Sequence, residues 1–488
     1  MFTSLIKRFF YRYFLSGLCG VLCTSCFTMS QKEKEEHLLM QPTLTASVNR
    51  ARASGEFVLG EWPEEKWWEV LDSGNLNHLI EKALVDNPSI GAIKARMDLA
   101  KAESIVTRSQ LYPLVFFEGE NTAAIQSKNG LYRELNQSIP RFGNLIDLSL
   151  GFTYEFDFWQ QYANSYKASL SRYQYEKANT KQVELIVSTS VAQVFYALKT
   201  NLKREKLYKQ LVRIQKKAYQ LENLLYRKAL YSRIPLTFAK EKLYSYQQAL
   251  IEIQEEIAVN KHMVNILTGV GPDEVLDIDD VLEDPEKKLE IPKTINIELL
   301  CRRPDLMAAI WKAEGFSYEV EVAIADFYPN INLKSLVGLE TFNIKNLFSS
   351  ASTDASIVPS FFLPIYTAGA IAANVRAKKA EFTQAVYEYN DLLLKSTKEV
   401  ADVLVFLDSI YERRNRQQRI IDQADFRLGL ISLNYRSGLA NLLDVYRNEE
   451  EKINTELEDI ELIYGRYVGS IKLIKALGGG YYSECREL

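Results

Sequence analysis

The sequence predicts a mainly α-helical protein with a membrane β-barrel part, built from a duplicated unit of long coiled-coil helices plus two strands. Three observations support this fold class: a repeated pattern of prolines and apolar residues, segments in which apolar and polar residues alternate, and two long stretches almost free of proline. With 488 residues, of which 47% are hydrophobic, the chain is large enough to bury a substantial core.

The duplication is first seen in two segments that start near a proline and end at a Tyr-Pro pair. Residues 87–113 match residues 303–329, and the first and last prolines are 25 positions apart in both. Between these prolines, alanines and apolar residues recur at helical spacing. Because the residue before a proline disfavours helix, each helix is expected to end at Tyr-Pro and to lead into an extended segment.

A second match lies farther along the chain, where residues 191–194 correspond to residues 400–403. This match has an offset of 209 positions, whereas the Tyr-Pro pairs are 216 positions apart. The first copy therefore holds seven more residues between its Tyr-Pro pair and its long helices. Since length differences are best tolerated in loops, we expect the insertion in the polar stretch 120–144, whose counterpart is 340–356.

Segments with strand periodicity follow each Tyr-Pro pair. From residue 146 to residue 158, apolar side chains alternate with polar ones, as in a sheet with one apolar and one polar face. With residues 114–119, 331–341 and 357–366, this predicts four strands per chain, most of them near the ~9–11 residues of a membrane strand. A closed barrel needs about eight strands or more. Other subunits must therefore complete it, which predicts an oligomeric barrel with a polar lumen.

The remaining stretches predict unusually long helices. Residues 160–268 contain no glycine and one proline, Pro235, and residues 370–477 contain no proline. Residues 160–234 alone predict a helix of roughly 110 Å at ~1.5 Å per residue. Apolar residues that step by threes and fours, such as Val187 and Val191, predict coiled-coil packing against neighbouring helices.

Composition excludes several classes of function. The 59 basic and 63 acidic residues give a net charge of -4 and form no basic patch of the kind that binds nucleic acid. Only Cys301 and Cys485 lie beyond the first 26 residues, too few for a disulfide framework, and three histidines offer little for a transition-metal site. The sequence contains no candidate catalytic nucleophile and no phosphate-binding loop. We therefore expect that the protein is not an enzyme and that it has no cofactor, metal or nucleic-acid partner.

The N-terminus has the order of an export signal. Basic residues precede an apolar run at 14–23 that is too short for a comfortable membrane span. The sequence around Cys26, with Ser25 before it, is similar to a lipoprotein signal, and the absence of an aspartate after Cys26 fits outer-membrane sorting. We expect a signal peptide at 1–25 and a lipid on Cys26. An ordinary secretory signal and an uncleaved anchor are the alternatives.

The chain resembles the TolC-type outer-membrane efflux family, and more closely its lipoprotein branch that serves resistance-nodulation-division pumps. The resemblance covers nearly all of the mature chain and rests on three motifs: Trp67-Trp68 followed by Asn87-Pro88, Arg302-Arg303-Pro304-Asp305-Leu306 followed by Phe327-Tyr328-Pro329, and Tyr435-Arg436-Ser437-Gly438-Leu439. It implies a homotrimer that shares one twelve-stranded barrel in the outer membrane, continued by a helical tunnel across the periplasm. The implied partners are outer-membrane lipid, a periplasmic adaptor protein and an inner-membrane transporter.

These observations divide the chain into six parts. They are a signal peptide at 1–25, a lipid-anchored and belt segment at 26–75, a first repeat at 76–269, a belt linker at 270–300, a second repeat at 301–477 and a tail at 478–488. Each repeat is expected to hold a helix, two barrel strands and a long helical hairpin. The resemblance implies that the belt surrounds the tunnel.

The resemblance also implies that each hairpin turns at a periplasmic tip where the adaptor docks. In the second copy, Gly438 is expected to end the descending helix and Asn441 to cap the ascending one. In the first copy alanine replaces that glycine, and Ser232 is expected to cap a helix that has a proline in its first turn. The expected docking residues are Ala229, Leu230, Ser232, Pro235, Gly438, Leu439 and Asn441.

A gate is expected beside the second tip. Asp444 matches the family's first gate aspartate, Tyr435 matches a tyrosine that helps to hold the closed state, and Arg447 replaces the next acid. Three carboxylates in a constriction would attract cations. With Arg447 present, this ring is reduced, or is replaced by pairing of Asp444 with Arg447 one turn apart. Alternatively, Asp444 merely favours the helix dipole.

The function expected from these features is the outer-membrane exit duct of a tripartite efflux or type I-like export system that passes small molecules or drugs. The protein would be lipid-anchored in the outer membrane of a Gram-negative-type bacterium and extend into the periplasm. A structural coiled-coil envelope scaffold without a pore, and a soluble periplasmic enzyme, are the alternatives. The scaffold explains the long helices but neither the strands nor the export signal.

Overall fold

The structure, a computed structural model, describes residues 44–53, 55–71, 73–129, 138, 141–276, 278, 282, 289–292, 295 and 301–483. The predicted signal peptide and the predicted lipid site at Cys26 lie outside this part of the chain. Within it, none of the helices is both long and apolar enough to span a membrane. The elements below are numbered over the described residues.

A helix, two strands and two longer helices follow one another twice, and within the described residues the first set begins with one additional helix. The first set is α2 (Gly74–Asp86), α3 (Pro88–Ser109), β2 (Leu114–Ile125), β3 (Phe142–Phe156), α4 (Gln161–Arg227) and α5 (Arg233–Leu267). The second set is α6 (Pro304–Ala325), β5 (Asn330–Thr341), β6 (Thr353–Phe362), α7 (Ala370–Arg436) and α8 (Leu442–Ala476). Before them lie α1 (Thr45–Ala53), β1 (Phe57–Gly60) and a 3-10 helix (Trp67–Leu71), and β4 (Leu289–Pro292) lies between them.

The helices begin where the prolines predict. Pro88 and Pro304 occupy the first turns of α3 and α6, where the missing N–H costs no helical hydrogen bond. The Asn87 side chain accepts a hydrogen bond from the Ser89 N–H (2.8 Å) and donates one to the Leu267 carbonyl (2.8 Å). Asn87 therefore caps α3 and also fastens it to the end of α5.

The four long strands form one antiparallel sheet in the order β2-β3-β5-β6. In its register, apolar residues of β3 such as Leu148 and Leu150 lie opposite Leu339 and Val337 of β5. Asp147 lies opposite Glu120 and Glu340 on the other face. β2 and β6 are the two edges of this sheet, and within the described residues each pairs along one side only.

The predicted strands are confirmed in number, but their ends differ. β2 runs on to Ile125 instead of 119, β3 begins at Phe142, and β6 spans Thr353–Phe362 instead of 357–366. The insertion predicted in a loop is therefore shared. The connection before β3 is five residues longer than the one before β6, and β3, with 15 residues, is also five longer than β6. The connection after β3 is three residues shorter than the one after β6, which leaves the net difference of seven. Strand pairing extends through the polar residues because their neighbours satisfy the backbone hydrogen bonds.

The four longest helices form two hairpins of equal dimensions. α4 and α7 each have 67 residues, and α5 and α8 each have 35. The prediction of a single helix over 160–234 is wrong at the C-terminal end. α4 ends at Arg227, after roughly 100 Å at ~1.5 Å per residue. The hairpins pack in one row, with α5 on α4, α4 on α8 and α8 on α7.

The main cores lie where chain segments from both ends meet the long helices. Trp67, Leu76 and Ile80 pack with Phe195 of α4 and Ile471 of α8. β1 pairs in parallel with β4, and a second cluster joins this pair and α1 to α7 and α8. α1 and β1 fall within the predicted segment 26–75, and β4 falls within the predicted segment 270–300. The six-part division of the chain stays a prediction.

Arg303 and Cys301 tie the start of the second set to its end. The buried Arg303 guanidinium contacts Asp305 (2.8 Å) and Glu399 (3.0 Å), and it donates a hydrogen bond to the Ala476 carbonyl (2.9 Å). Cys301 is disulfide-bonded, which the sequence did not predict. The Ser483 N–H donates to the Cys301 carbonyl (3.0 Å), which holds the described beginning of the tail in place.

Candidate functional site at the hairpin tips

Both descending helices end in the same backbone turn. At the second tip, Gly438 has φ 74°, and the Leu439 N–H donates to the Asn434 carbonyl at 2.8 Å. At the first tip, Ala229 has φ 58°, and the Leu230 N–H donates to the Leu225 carbonyl at 3.0 Å. This left-handed turn satisfies carbonyls that the helix end leaves without partners. Alanine adopts it against the steric preference of its Cβ.

The first ascending helix starts without a side-chain cap. Ser232 occupies the predicted cap position, but its hydroxyl accepts no capping hydrogen bond, so this part of the prediction is wrong. A cap side chain usually accepts from the second or third helical N–H, and the third helical residue here is Pro235, which has none. Proline therefore favours the backbone of the first turn but removes one donor for the cap.

The second ascending helix starts with a complete capping box. The Asn441 side chain accepts from the Asp444 N–H (2.9 Å), and the Asp444 carboxylate accepts from the Asn441 N–H (3.4 Å). The Asp444 carbonyl also accepts a hydrogen bond from Asn448 (2.8 Å). Asp444 is thus held by the helix start itself, whichever role it has in a gate.

The three predicted gate residues lie at this tip, and two of them are in contact. Arg447 contacts the free oxygen of Asp444 at 3.3 Å, one turn along α8, and its side chain is 75% exposed. Burial raises the pKa of Tyr446, and the nearby Glu449 carboxylate and Tyr435 add to this rise. The charge of Asp444 is therefore balanced within its own helix. Whether these residues gate a channel stays a prediction.

Sequence reasoning missed Glu222 of α4. Burial raises the pKa of Glu222, whereas the positive charge of Arg447 acts in the opposite direction. One carboxylate oxygen of Glu222 is buried and accepts no hydrogen bond from the described residues. Arg447 therefore lies within electrostatic reach of acids on both hairpins. No local signal identified Glu222, because the two residues are 225 positions apart in the chain.

A second missed contact joins the hairpins above the tips. Glu450 of α8 is 7% exposed, forms an ion pair with Lys242, and accepts a hydrogen bond from the Tyr246 hydroxyl (2.5 Å). Burial, and then this bond to Glu450, raises the pKa of Tyr246. One feature of the sequence indicated this contact. Glu450 and the apolar Ile453 belong to a series of positions spaced by three and four residues, and this series faces the other hairpin.

Each tip also presents one exposed leucine. Leu230 is 66% exposed and Leu439 is 80% exposed, and each directly follows the left-handed residue of its turn. The two tips therefore offer matching apolar side chains on the same backbone scaffold.

Comparison with known proteins places these features in a family. The model of the family described as "Outer membrane efflux protein" matches residues 79–269 and 297–479. These two ranges contain both hairpins, both tips and all four strands of the sheet. The chain belongs to the outer membrane efflux protein family. This efflux protein accordingly resides in the outer membrane, and its family consists of efflux channels and not of enzymes.

Relatives of this efflux protein cover nearly its whole length. It is 24% identical over 490 residues to the multidrug resistance outer membrane protein MdtP of Escherichia coli, covering 98% of each chain. It is 21% identical over 448 residues to the probable outer membrane lipoprotein SilC of Salmonella typhimurium, covering 92% of each.

Solved structures of outer membrane proteins share the fold. The outer membrane protein VceC of Vibrio cholerae is 28% identical, with a TM-score of 0.76 over 86% of this efflux protein and 100% of VceC. The outer membrane channel CmeC of Campylobacter jejuni is 22% identical, with a TM-score of 0.80 over 94% and 95% of the two chains. The predicted family and the predicted function as an outer-membrane efflux channel are confirmed.

Proposed function

We propose that three copies of this protein close one twelve-stranded barrel and form the exit duct of a tripartite efflux or type I-like export system. The observation that carries this proposal is the four-stranded sheet with two long open edges, β2 and β6. Edges of 12 and 10 residues leave many backbone groups without a strand partner, which a bilayer does not tolerate. Pairing β6 of one copy with β2 of the next satisfies them.

The two faces of the sheet fit such a barrel. One face carries leucine, valine, isoleucine and phenylalanine, which suit lipid. The other carries six acids and one lysine: Glu118, Glu120, Asp147, Glu155, Glu340, Asp354 and Lys334. With this second face turned to the lumen, the channel would attract cations.

Conductance in planar bilayers tests the proposal. The purified protein is expected to form a stable conducting pore with a cation preference, and Asp147→Asn with Glu340→Gln is expected to lower that preference. Lys334→Gln provides the control, since it removes a positive charge and should not lower it. A protein that never conducts and shows only helical circular dichroism would support the scaffold alternative instead.

The gate belongs to the same proposal. Tyr435, Asp444 and Arg447 lie at the end of the hairpins where a tunnel of three copies would narrow. We expect Asp444→Ala and Tyr435→Phe to increase the open probability of single channels. Unchanged open probability and unchanged cation preference in both variants would remove these residues from the gate.

The tips are the proposed docking points for a periplasmic adaptor. Leu230 and Leu439 are exposed apolar groups there, and both belong to the predicted docking residues. Leu230→Asp and Leu439→Asp are each expected to reduce co-purification of the adaptor at unchanged protein level. Ser232→Ala, which loses no hydrogen bond, is the matched control. Undiminished co-purification in both aspartate variants would place docking elsewhere.

The lipid anchor and the exported compounds complete the proposal. A lipid on Cys26 is supported by the signal-like sequence and by the similarity to SilC, a probable lipoprotein. Export of drugs is supported by the similarity to multidrug resistance proteins. Intact-mass measurement of the native chain and of Cys26→Ser tests the anchor, and the mass added by acyl chains should be absent from the variant.

A further inference from the structure

A cavity lies where the helices approach the sheet. Its volume is about 330 Å³, at the lower end of the ~300–1,000 Å³ of small-molecule sites, and α3, α4, α6 and α7 line it. These four helices pack side by side in this order. Asp326, Ser165 and Asn374 of the lining are 4, 9 and 12 residues from the nearest strand. A single chain therefore forms the cavity, next to its own sheet.

Small side chains leave this space open. α4 lines the cavity with Ser165 and, three and four positions later, with Ala168 and Ser169. α6 contributes the apolar side chains of Val322 and Ala323. Positions three and four apart lie on one helix face, so each helix turns a single face to the cavity. The lining thus combines an apolar part with a few polar groups, which is typical of sites for small molecules.

Four charged side chains line the cavity, and three of them are paired. Arg172 contacts Glu103 at 3.5 Å, and Lys378 contacts Glu319 at 2.7 Å. Asp326 forms no ion pair within the part of the chain that the structure describes. Among these four, Asp326 is therefore the charge that has no opposite charge in contact with it.

The contacts of Asp326 compensate its charge incompletely. One carboxylate oxygen accepts a hydrogen bond from the Gln161 amide (2.8 Å), and the other accepts none from the described residues. Burial raises the pKa of Asp326, and the hydrogen bond from Gln161 acts in the opposite direction. Taking a carboxylate out of water costs free energy unless opposite charge or hydrogen bonds replace the water. A bound cation would supply that charge.

Two neutral polar groups of the lining are also available. The Ser165 hydroxyl and the Asn374 amide form no side-chain hydrogen bond with any described residue. With Asp326 they provide three kinds of oxygen acceptor, and an ammonium group has three N–H donors. A calcium ion would need more oxygen ligands, whereas Glu319, the other acid of the lining, is held by Lys378. The lining therefore suits an organic ammonium group.

We infer that this cavity binds a small primary amine. Asp326, Ser165 and Asn374 hold the ammonium group, and the carbon chain packs on Ala168 and Val322. The inference goes beyond the proposed channel and does not depend on the number of copies, because one chain forms the site. A soluble amine and the ethanolamine headgroup of a phospholipid both carry this group, and the experiments below distinguish them.

Binding of n-butylamine tests the site. Saturation-transfer NMR on the detergent-solubilised full chain should detect bound n-butylamine but not 1-butanol, its neutral analogue. Asp326→Asn retains an oxygen for Gln161 and should weaken amine binding roughly tenfold or more, and Asn374→Leu should weaken it roughly threefold. The control is Glu321→Gln, an exposed acid of α6 outside the lining, which should bind as the wild type does. Equal signals from the amine and the alcohol, or unchanged binding by Asp326→Asn, would overturn the inference.

Native mass spectrometry from nanodiscs distinguishes the two sources of the amine. If the headgroup occupies the cavity, the wild type should retain phosphatidylethanolamine better than Asp326→Asn does, and n-butylamine should displace it. Equal lipid retention together with n-butylamine binding supports the site and assigns it to a soluble amine. Conductance is measured separately, so loss of the site leaves the proposed channel standing, and a protein that never conducts still reports whether it binds the amine.

Discussion

The two hairpin tips leave their descending helices in the same way but enter their ascending helices differently. Ala229 and Gly438 both adopt a left-handed backbone, and the next N–H of each bonds back to the helix. After that, Asn441 and Asp444 form a capping box, whereas Ser232 forms no side-chain cap. The turn that ends the descending helix is therefore set by the backbone conformation alone, whereas the start of the ascending helix depends on which side chains can form a cap. The second tip is the more firmly held of the two.

The largest expected effect comes from exchanging the left-handed residues. Gly438→Ala should destabilise the second tip by roughly 1–2 kcal/mol, because an L-residue is strained there. Ala229→Gly should stabilise the first tip, by about 1 kcal/mol or less, since glycine also gains freedom in the unfolded chain. Hydrogen exchange at the Leu439 and Leu230 amides measures these changes. Changes of the same sign in both variants would contradict the comparison.

The next effect comes from removing the cap side chains. Asn441→Ala should cost about 1 kcal/mol at the start of α8, because it deletes one half of the capping box. Ser232→Ala should cost close to nothing at the start of α5, since no hydrogen bond is lost there. Exchange of the first-turn amides of the two helices checks both. An equal loss at both tips would show that Ser232 caps after all.

A smaller effect tests the physical reason for the difference. If Pro235 prevents capping by removing an N–H, then in the Pro235→Ala background Ser232→Ala should acquire a cost of about 0.5–1 kcal/mol. A double-mutant cycle isolates this coupling from the effect of proline on the unfolded chain. Zero coupling would mean that the orientation of Ser232, and not the missing donor, keeps it from capping.

The smallest effect concerns the pH dependence of packing between the hairpins near the tips. The pKa of Glu222 is raised in the folded protein, so the folded state retains the proton at a pH where the unfolded chain has released it. Contacts between α4 and α8 should therefore tighten as the pH falls through the range above the usual glutamate pKa. Glu222→Gln should abolish this dependence in hydrogen exchange, corrected for intrinsic rates. An unchanged dependence would assign it to another group.

Features encoded by neighbouring residues were predictable from the sequence. The helix starts at Pro88 and Pro304, the strand periodicity of β3 and the turn at Gly438 each depend on a few consecutive residues, and the structure has all of them. The end of β2 was not predictable, because its continuation from Glu120 to Ile125 follows from pairing with β3 and not from its own alternation. The beginning of β6 was misplaced for the same reason.

The candidate site divides in the same way. Local sequence located both tips, and the pairing of Asp444 with Arg447 one turn apart was visible in their spacing. Glu222, Lys242 and Glu450 were missed because their contacts join different hairpins, which are brought together by packing of α4 on α8. Such contacts depend on which helix faces are turned toward each other, and one sequence does not contain that information.

The number of copies in the assembled protein tests the central claim most directly. Native mass spectrometry of the detergent-extracted protein should give a complex of three chains, each close to the 56.0 kDa of the full sequence less any removed signal peptide. Three copies provide twelve strands and leave no open sheet edge. A stable single chain in detergent, with its β2 and β6 edges still exchanging freely with solvent, would contradict the account.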